Sequence, residues 1–319
     1  MLLLLRLLNE NPQPVPPLPL LKPWYRLLQL EDRVVLEHGR TVVVFEGAAA
    51  RTLLPALLPL LDGSRSVDAV CERIGPAVRP AVEHALQLLA RNGLLTAGPR
   101  LAADDRRREV AESLVAESAG ADAVDVAARI ASARVVVVGD EDRCDGVGRL
   151  LQRSGAWVTH GDETPGDLAV VGPGADRRGW NERALEHGGP WLPFGEFDGR
   201  ILSVGPLIVP HETACLECVR LRRESTSGCA DELALFRDAT EPVGLRPGLL
   251  LAATALAGEL VVRWLGVRDP ALPGTLFTIA SEDGISIRTH AVLRVPRCPV
   301  CSSAAGLAPP SPWHEARAA

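Results

Sequence analysis

The arrangement of cysteines constrains this chain most. Cys215 and Cys218 stand in CLEC, and Cys298 and Cys301 stand far downstream in CPVC. Two residues between thiols let both members of a pair face one point, and two such knuckles complete a tetrahedron of soft ligands. The fold must then bring two distant segments to one place. Paired knuckles in a chain with no export signal favour a metal over disulfides, which persist in oxidising compartments. All four positions are cysteine, which leaves no open position for water, so the spacing points to structural rather than catalytic zinc. The competing reading is two unrelated pairs, buried or redox-active.

The rest of the chain is long enough to build around such a staple. At 319 residues and a net charge of −6, it can form two domains, each with its own core. With 47% hydrophobic residues, dominant disorder is excluded. The opening MLLLLRLL is interrupted by Arg6 and followed by NENPQPVPPLPLL. No small-residue cleavage site follows, so we expect a partner-packing start and a Pro-rich linker rather than a signal peptide. The apolar run 249–265 contains Glu259 and Arg263 and is shorter than the ~20 clean residues of a membrane span, so a buried amphipathic helix is expected. A cytoplasmic protein with no membrane partner follows.

The N-terminal third reads as a βββααα domain. Apolar, β-branched runs at 24–30, 33–37 and 41–45 are joined by short turns and predict a three-stranded meander. Helices are expected over 48–61, 67–74 with Ser66 as N-cap, and 76–92 with Pro76 at its first position and Gly93 after its end. Val78, Val82, Leu86 and Leu89 would form one buried stripe on the last helix. This domain ends near Gly98; residues 99–133, charged and Ala-rich, read as a linker helix. From 134 to 319, strands at 134–139, 156–160, 167–171, 191–197 and 201–205 alternate with helical segments, including 177–187. That alternation predicts a doubly wound parallel sheet.

A nucleotide-binding sheet places a glycine-rich loop after its first strand, so that backbone amides can approach phosphate at a helix N-terminus. Here RVVVVG leads into Asp140, Glu141, Asp142, Arg143, Cys144, Asp145 and Gly146. Four carboxylates crowd the expected phosphate position and oppose the attraction of the helix end for anions. Asp162 stands roughly where a ribose-binding acid would, a weak signal. A Rossmann-like scaffold without nucleotide is the favoured reading.

These features together resemble a known family. RVVVVG, GPLIVPHETACLEC and VPRCPVC are similar to segments of the ThiF/MoeB (ubiquitin-activating) superfamily, with the cysteine pairs in that family's order. The first 98 residues resemble PqqD-like, winged-helix-like leader-recognition domains. The combination is similar to Ocin-ThiF-like partner proteins of azoline-forming (TOMM and thiopeptide) pathways. That resemblance implies a RiPP recognition element that binds the leader of a ribosomal precursor peptide. It also implies delivery of the precursor to a separate YcaO-type cyclodehydratase, and it suggests dimers. In such a domain an extended leader adds a strand to a sheet edge. Val42, Val44, Arg79 and Glu83 are the expected groove contacts, the alternative for both valines being the domain's own core.

The adenylating members of that superfamily hold ATP with a glycine-rich loop and basic side chains that include a lysine. Lys22 is this chain's one lysine, and it lies outside the sheet domain. We therefore expect a non-catalytic subunit with no ATP bound, the alternative being an adenylating enzyme acting on a peptide carboxylate. Cys229, in STSGCADE, is a candidate nucleophile because some ThiF-like proteins carry a thiol there; an ordinary loop or packing cysteine is the default. Cys71 and Cys144 read as incidental, and His211 as a structural cap. A DNA-binding winged helix is disfavoured, because residues 1–98 carry ten basic and nine acidic side chains and offer phosphate no charge excess.

Overall fold

The structure, a computed structural model, describes residues 14–118, 121–161, 166–227, 245–280 and 284–303. It divides into two compact units, Met1–Ala128 and Arg129–Ala319.

In the first unit, β2 (Arg26–Gln29), β3 (Arg33–His38) and β4 (Thr41–Glu46) form the antiparallel meander, with β3 central. Alternation fixes its faces. Val34, Leu36 and Val43 join one core with Leu57, Val70, Val82, Leu86 and Leu89, while Val42 and Val44 point away from it. The helix expected over 48–61 is instead three short pieces, α1 (Ala48–Thr52), α2 (Leu54–Leu57) and a 3₁₀ turn, Leu58–Leu60. Pro55 and Pro59 remove backbone donors and restart the winding each time. Helix α3 (Val67–Ile74) begins where expected, with the Ser66 hydroxyl accepting from the Ala69 N–H at 3.2 Å. Helix α4 (Arg79–Arg91) starts later than expected. Pro76 opens a 3₁₀ turn, and the ring of Pro80 sits in the first α-helical turn, where its missing donor costs nothing. Val78 therefore falls outside the buried stripe and is 42% exposed.

One strand pair lies in what the sequence presents as a Pro-rich linker. Strand β1 (Pro19–Leu21) pairs antiparallel with β5 (Leu95–Ala97), and Leu20 is buried. The start of this unit is thereby tied to the end of its helical run. Helices α5 (Arg108–Glu117) and α6 (Ala123–Ser132) follow, with Ala111, Leu114 and Val115 buried on α5.

The second unit is built on a seven-stranded mixed sheet. Its parallel part is β7 (Trp157–His160), β6 (Arg134–Val138), β8 (Leu168–Val171) and β9 (Trp191–Phe197), connected through α7 (Glu141–Arg153) and α8 (Arg177–His187). Val135, Val136, Val137 and all of β8 are buried, as a strand covered on both faces requires. The sheet is not parallel throughout. The Asp198 carboxylate accepts from the Arg200 and Ile201 N–H groups, closing a tight turn that returns the chain as antiparallel β10 (Ile201–Val204). Strands β11 (Thr275–Ala280) and β12 (Ser286–Ala291) extend the antiparallel side. Between β10 and β11 lie α9 (Leu216–Thr226) and α10 (Pro247–Val267). Helix α10 is the one helix among the described residues long and apolar enough to cross a membrane, and half of its apolar window is buried inside the protein. It packs on α7, β9 and β10.

Candidate functional site

The two cysteine knuckles meet at the edge of the second unit. Cys215 is the N-cap of α9 and Cys218 lies in its first turn. The other pair sits on a turn after β12, with the Cys298 N–H donating to the Val295 carbonyl and the Ser302 N–H to the Cys298 carbonyl. All four sulfurs lie within 4.8 Å of one another. The Cys215–Cys218, Cys215–Cys298 and Cys218–Cys301 Sγ separations are 3.9, 3.7 and 3.5 Å. A tetrahedral zinc with bonds of about 2.3 Å needs sulfur–sulfur edges of about 3.8 Å, so the donor set fits such an ion. Three of the four cysteines are buried, in a cluster with Ala214. Burial pushes the Cys215 thiol up from its ordinary value, and a cation that replaces the thiol protons relieves that cost. The four cysteines could hold a metal such as zinc, and the Val295 N–H, 3.3 Å from Cys218 Sγ, is a ready second-layer donor.

The surroundings fix the first knuckle to the sheet. His211, which adopts φ 67°, donates through Nε2–H to the Leu185 carbonyl, 2.8 Å away near the end of α8. The buried Asn181 side chain accepts from the Leu216 N–H at 3.0 Å. The histidine ring is thus occupied by backbone.

The glycine loop after β6 is closed by its own side chains. Asp140 caps α7, its carboxylate accepting from the Asp142 N–H at 3.1 Å, and Glu141 and Asp142 occupy the first turn. Cys144, which reads as incidental in the sequence, is buried against Gly139 and Gly172. A side chain at Gly139 would stand 2.6 Å from the Pro173 carbonyl and 2.9 Å from Cys144 Sγ, so the close approach is made to the protein itself. Burial first, then the Asp140 carboxylate, pushes the Cys144 thiol up to about 11. Its neighbours are the signal that sequence alone could not supply.

The expected groove residues fall into two groups. Val42 and Val44 are 53% and 41% exposed on β4, which pairs with β3 on one side only among the described residues. Arg79 is bonded to Asp68 and, at 2.8 Å, to Glu83, tying α3 to α4. The alternative that both valines belong to the core is not what the structure has; Val43 takes that place. Cys229 and Asp162 lie outside the described residues.

No family model matches the chain, and no curated protein matches it. Solved structures do. The heterocyclase TruD superposes with a TM-score of 0.70 and 24% identity, covering 90% of this chain and 43% of that one. A heterocyclase in complex with substrate and cofactor gives 0.68 and 22%, covering 90% and 40%. Escherichia coli MccB with MccA gives 0.60 and 17%, covering 89% of this chain and 99% of that one. The chain thus has the fold of MccB and of part of the heterocyclases, and it spans about two-fifths of the heterocyclase chains.

Proposed function

We propose that the chain is a non-catalytic leader peptide-binding subunit that presents a ribosomal precursor to a YcaO-type cyclodehydratase for azoline or thiazole formation. The observation that carries this reading is β4, which among the described residues pairs on one side only, as an edge strand does, and carries two exposed valines at alternate positions. An extended peptide gains main-chain hydrogen bonds by adding to such an edge, and alternate side chains give selectivity. The fold likeness to a heterocyclase solved with substrate, and to MccB solved with MccA, supports a peptide role. In this reading residues 1–98 are the winged-helix-like recognition element, 99–133 a connector and 134–319 the ThiF-like domain. The protein is cytoplasmic, forms dimers and uses neither nucleic acid nor membrane. Cys215, Cys218, Cys298 and Cys301 hold structural zinc, which ties the segment after β12 to α9. The acidic, self-capped start of α7 and the Cys144 thiol against Gly139 argue that ATP has no seat here.

Titrating the full chain with a fluorescently labelled precursor leader tests the proposal; saturable binding is expected, and none sinks it. The second reading, an adenylating enzyme, is favoured by the likeness to E. coli MccB solved with ATP, which has a TM-score of 0.60 and covers 89% of this chain. ATP–pyrophosphate exchange separates the two: the subunit reading expects no exchange, with leader present or absent.

A further inference from the structure

The metal reading leaves a set of arginines unexplained. Two knuckles far apart in sequence must be held in register, and side chains from each reach across to the backbone of the other. Arg294, in the segment entering the second knuckle, donates through Nη1 to the His211 carbonyl at 2.5 Å and through Nη2 to the Cys301 carbonyl at 3.0 Å. One planar fork therefore joins the turn before Cys215 to the last ligand of the other pair. Arg222, on α9 with the first knuckle, donates through Nε to the Leu293 carbonyl and through Nη2 to the Arg294 carbonyl at 3.1 Å. One guanidinium comes from each segment, and the Val295 N–H also reaches Cys218 Sγ. Rigid bidentate geometry is what arginine offers and lysine lacks. Four thiolates around a divalent ion also leave a net charge of about −2, which two nearby cations offset.

We infer that Arg294 and Arg222 are positioning residues for the metal centre: they lace the two knuckles together and slow the release of the ion. Neither touches the metal. Both act through the backbone that carries the ligands, as outer partners of metal sites do. Arg220 provides the internal contrast, because its guanidinium is spent on Glu217 and Glu224 within α9.

The inference rests on the metal reading, and the experiment keeps the two apart. Zinc content of the purified full-length chain is measured first; a chain without zinc overturns both. Release of zinc to a chromophoric chelator is then timed for wild type, Arg294→Met, Arg294→Lys, Arg222→Met and Arg220→Met. Release should be about tenfold faster in the Arg294 variants and Arg222→Met, in line with other outer-partner losses, and unchanged in Arg220→Met. Arg294→Lys keeps the charge and loses the fork, so it should follow Arg294→Met. Cobalt-substituted samples should retain the thiolate charge-transfer band in every variant, because the four ligands are intact. Wild-type release rates in Arg294→Met and Arg222→Met overturn the inference, as does acceleration by Arg220→Met of the same size. A wild-type rate in Arg294→Lys overturns the lacing and leaves charge alone. If Arg294→Met fails to fold, Arg222→Met and Arg294→Lys decide on the same readout.

Discussion

If a leader adds to β4, replacing Val42 and Val44 together by threonine should weaken it selectively. Both valines lie outside the core and are 53% and 41% exposed. Fully covering a valine side chain is worth about 1.5 kcal/mol or somewhat more, and the two exposed portions amount to about one whole side chain. The double substitution removes most of that gain and leaves two hydroxyls without partners beneath the ligand. Kd should rise by about tenfold, since roughly 1.4 kcal/mol is a factor of ten. Threonine keeps the β-branched shape, so strand and fold should be unaffected, with the change in stability inside about ±0.5 kcal/mol. Val43→Thr supplies the opposite signature. That residue is buried, so the melting temperature should fall while binding per folded molecule stays the same. Fluorescence anisotropy of a labelled leader against the full chain measures Kd, and circular dichroism measures folding. A double variant that melts like wild type and binds as tightly refutes the edge as the contact surface.

Three further outcomes follow from the second unit. Mass spectrometry of the purified chain should find one zinc per molecule, and Cys298→Ser should lose it and melt at a lower temperature. The Cys144 thiol, raised from 9.0 to about 11 by burial first and then by Asp140, should make stability pH-dependent. The unfolded chain gives up this proton first, so the contribution is complete below about pH 9 and is lost as pH rises toward 11; melts across that window should lose this slope in Cys144→Ala. Neutralising Asp140, Glu141 and Asp142 together should lower the melting temperature, because negative charge and a cap at the start of α7 contribute about 0.3–1 kcal/mol each. A higher melting temperature would instead mean that repulsion among the three dominates.

What could be read from the chain beforehand follows the range of the forces involved. Local signals carried well: the alternation in 33–38 and 41–46, the Ser66 cap, and the extent of α8. Prolines shifted boundaries, because Pro55, Pro59 and Pro80 each interrupt a winding that apolar spacing alone would continue. Partners distant in sequence stayed hidden. Nothing local in 19–21 announces a strand, since its hydrogen bonds come from 95–97. Strands β11 and β12 lack the strong apolar runs of the parallel core, and β12 is almost wholly exposed. The reversal into β10 runs through a turn in which the Asp198 carboxylate accepts two N–H groups and Gly199 takes φ 102°. The cysteine spacing was the exception, because the chemistry of four soft ligands demands a long-range contact outright.

The single lysine acquires its meaning from where the arginines go. Around the second unit's sheet, guanidiniums are bonded to the protein's own backbone: Arg129 to the Gly266 carbonyl, Arg177 to Phe194, Arg222 to Leu293 and Arg294, and Arg294 to His211 and Cys301. Arg223 joins Glu196 to the buried Ser203 hydroxyl, and Arg263 pairs with Asp269. A group that neutralises a nucleotide has to meet phosphate as a point charge or an open fork, and forks engaged with carbonyls must first give up those bonds. The carboxylates at the start of α7 push in the same direction, since an incoming anion would have to displace the Asp140 cap and face Glu141 and Asp142. If the chain is the subunit proposed above, cations engaged in this way stiffen the frame it presents. Stiffness is what a subunit needs if its task is to hold one peptide edge in place for another protein's chemistry.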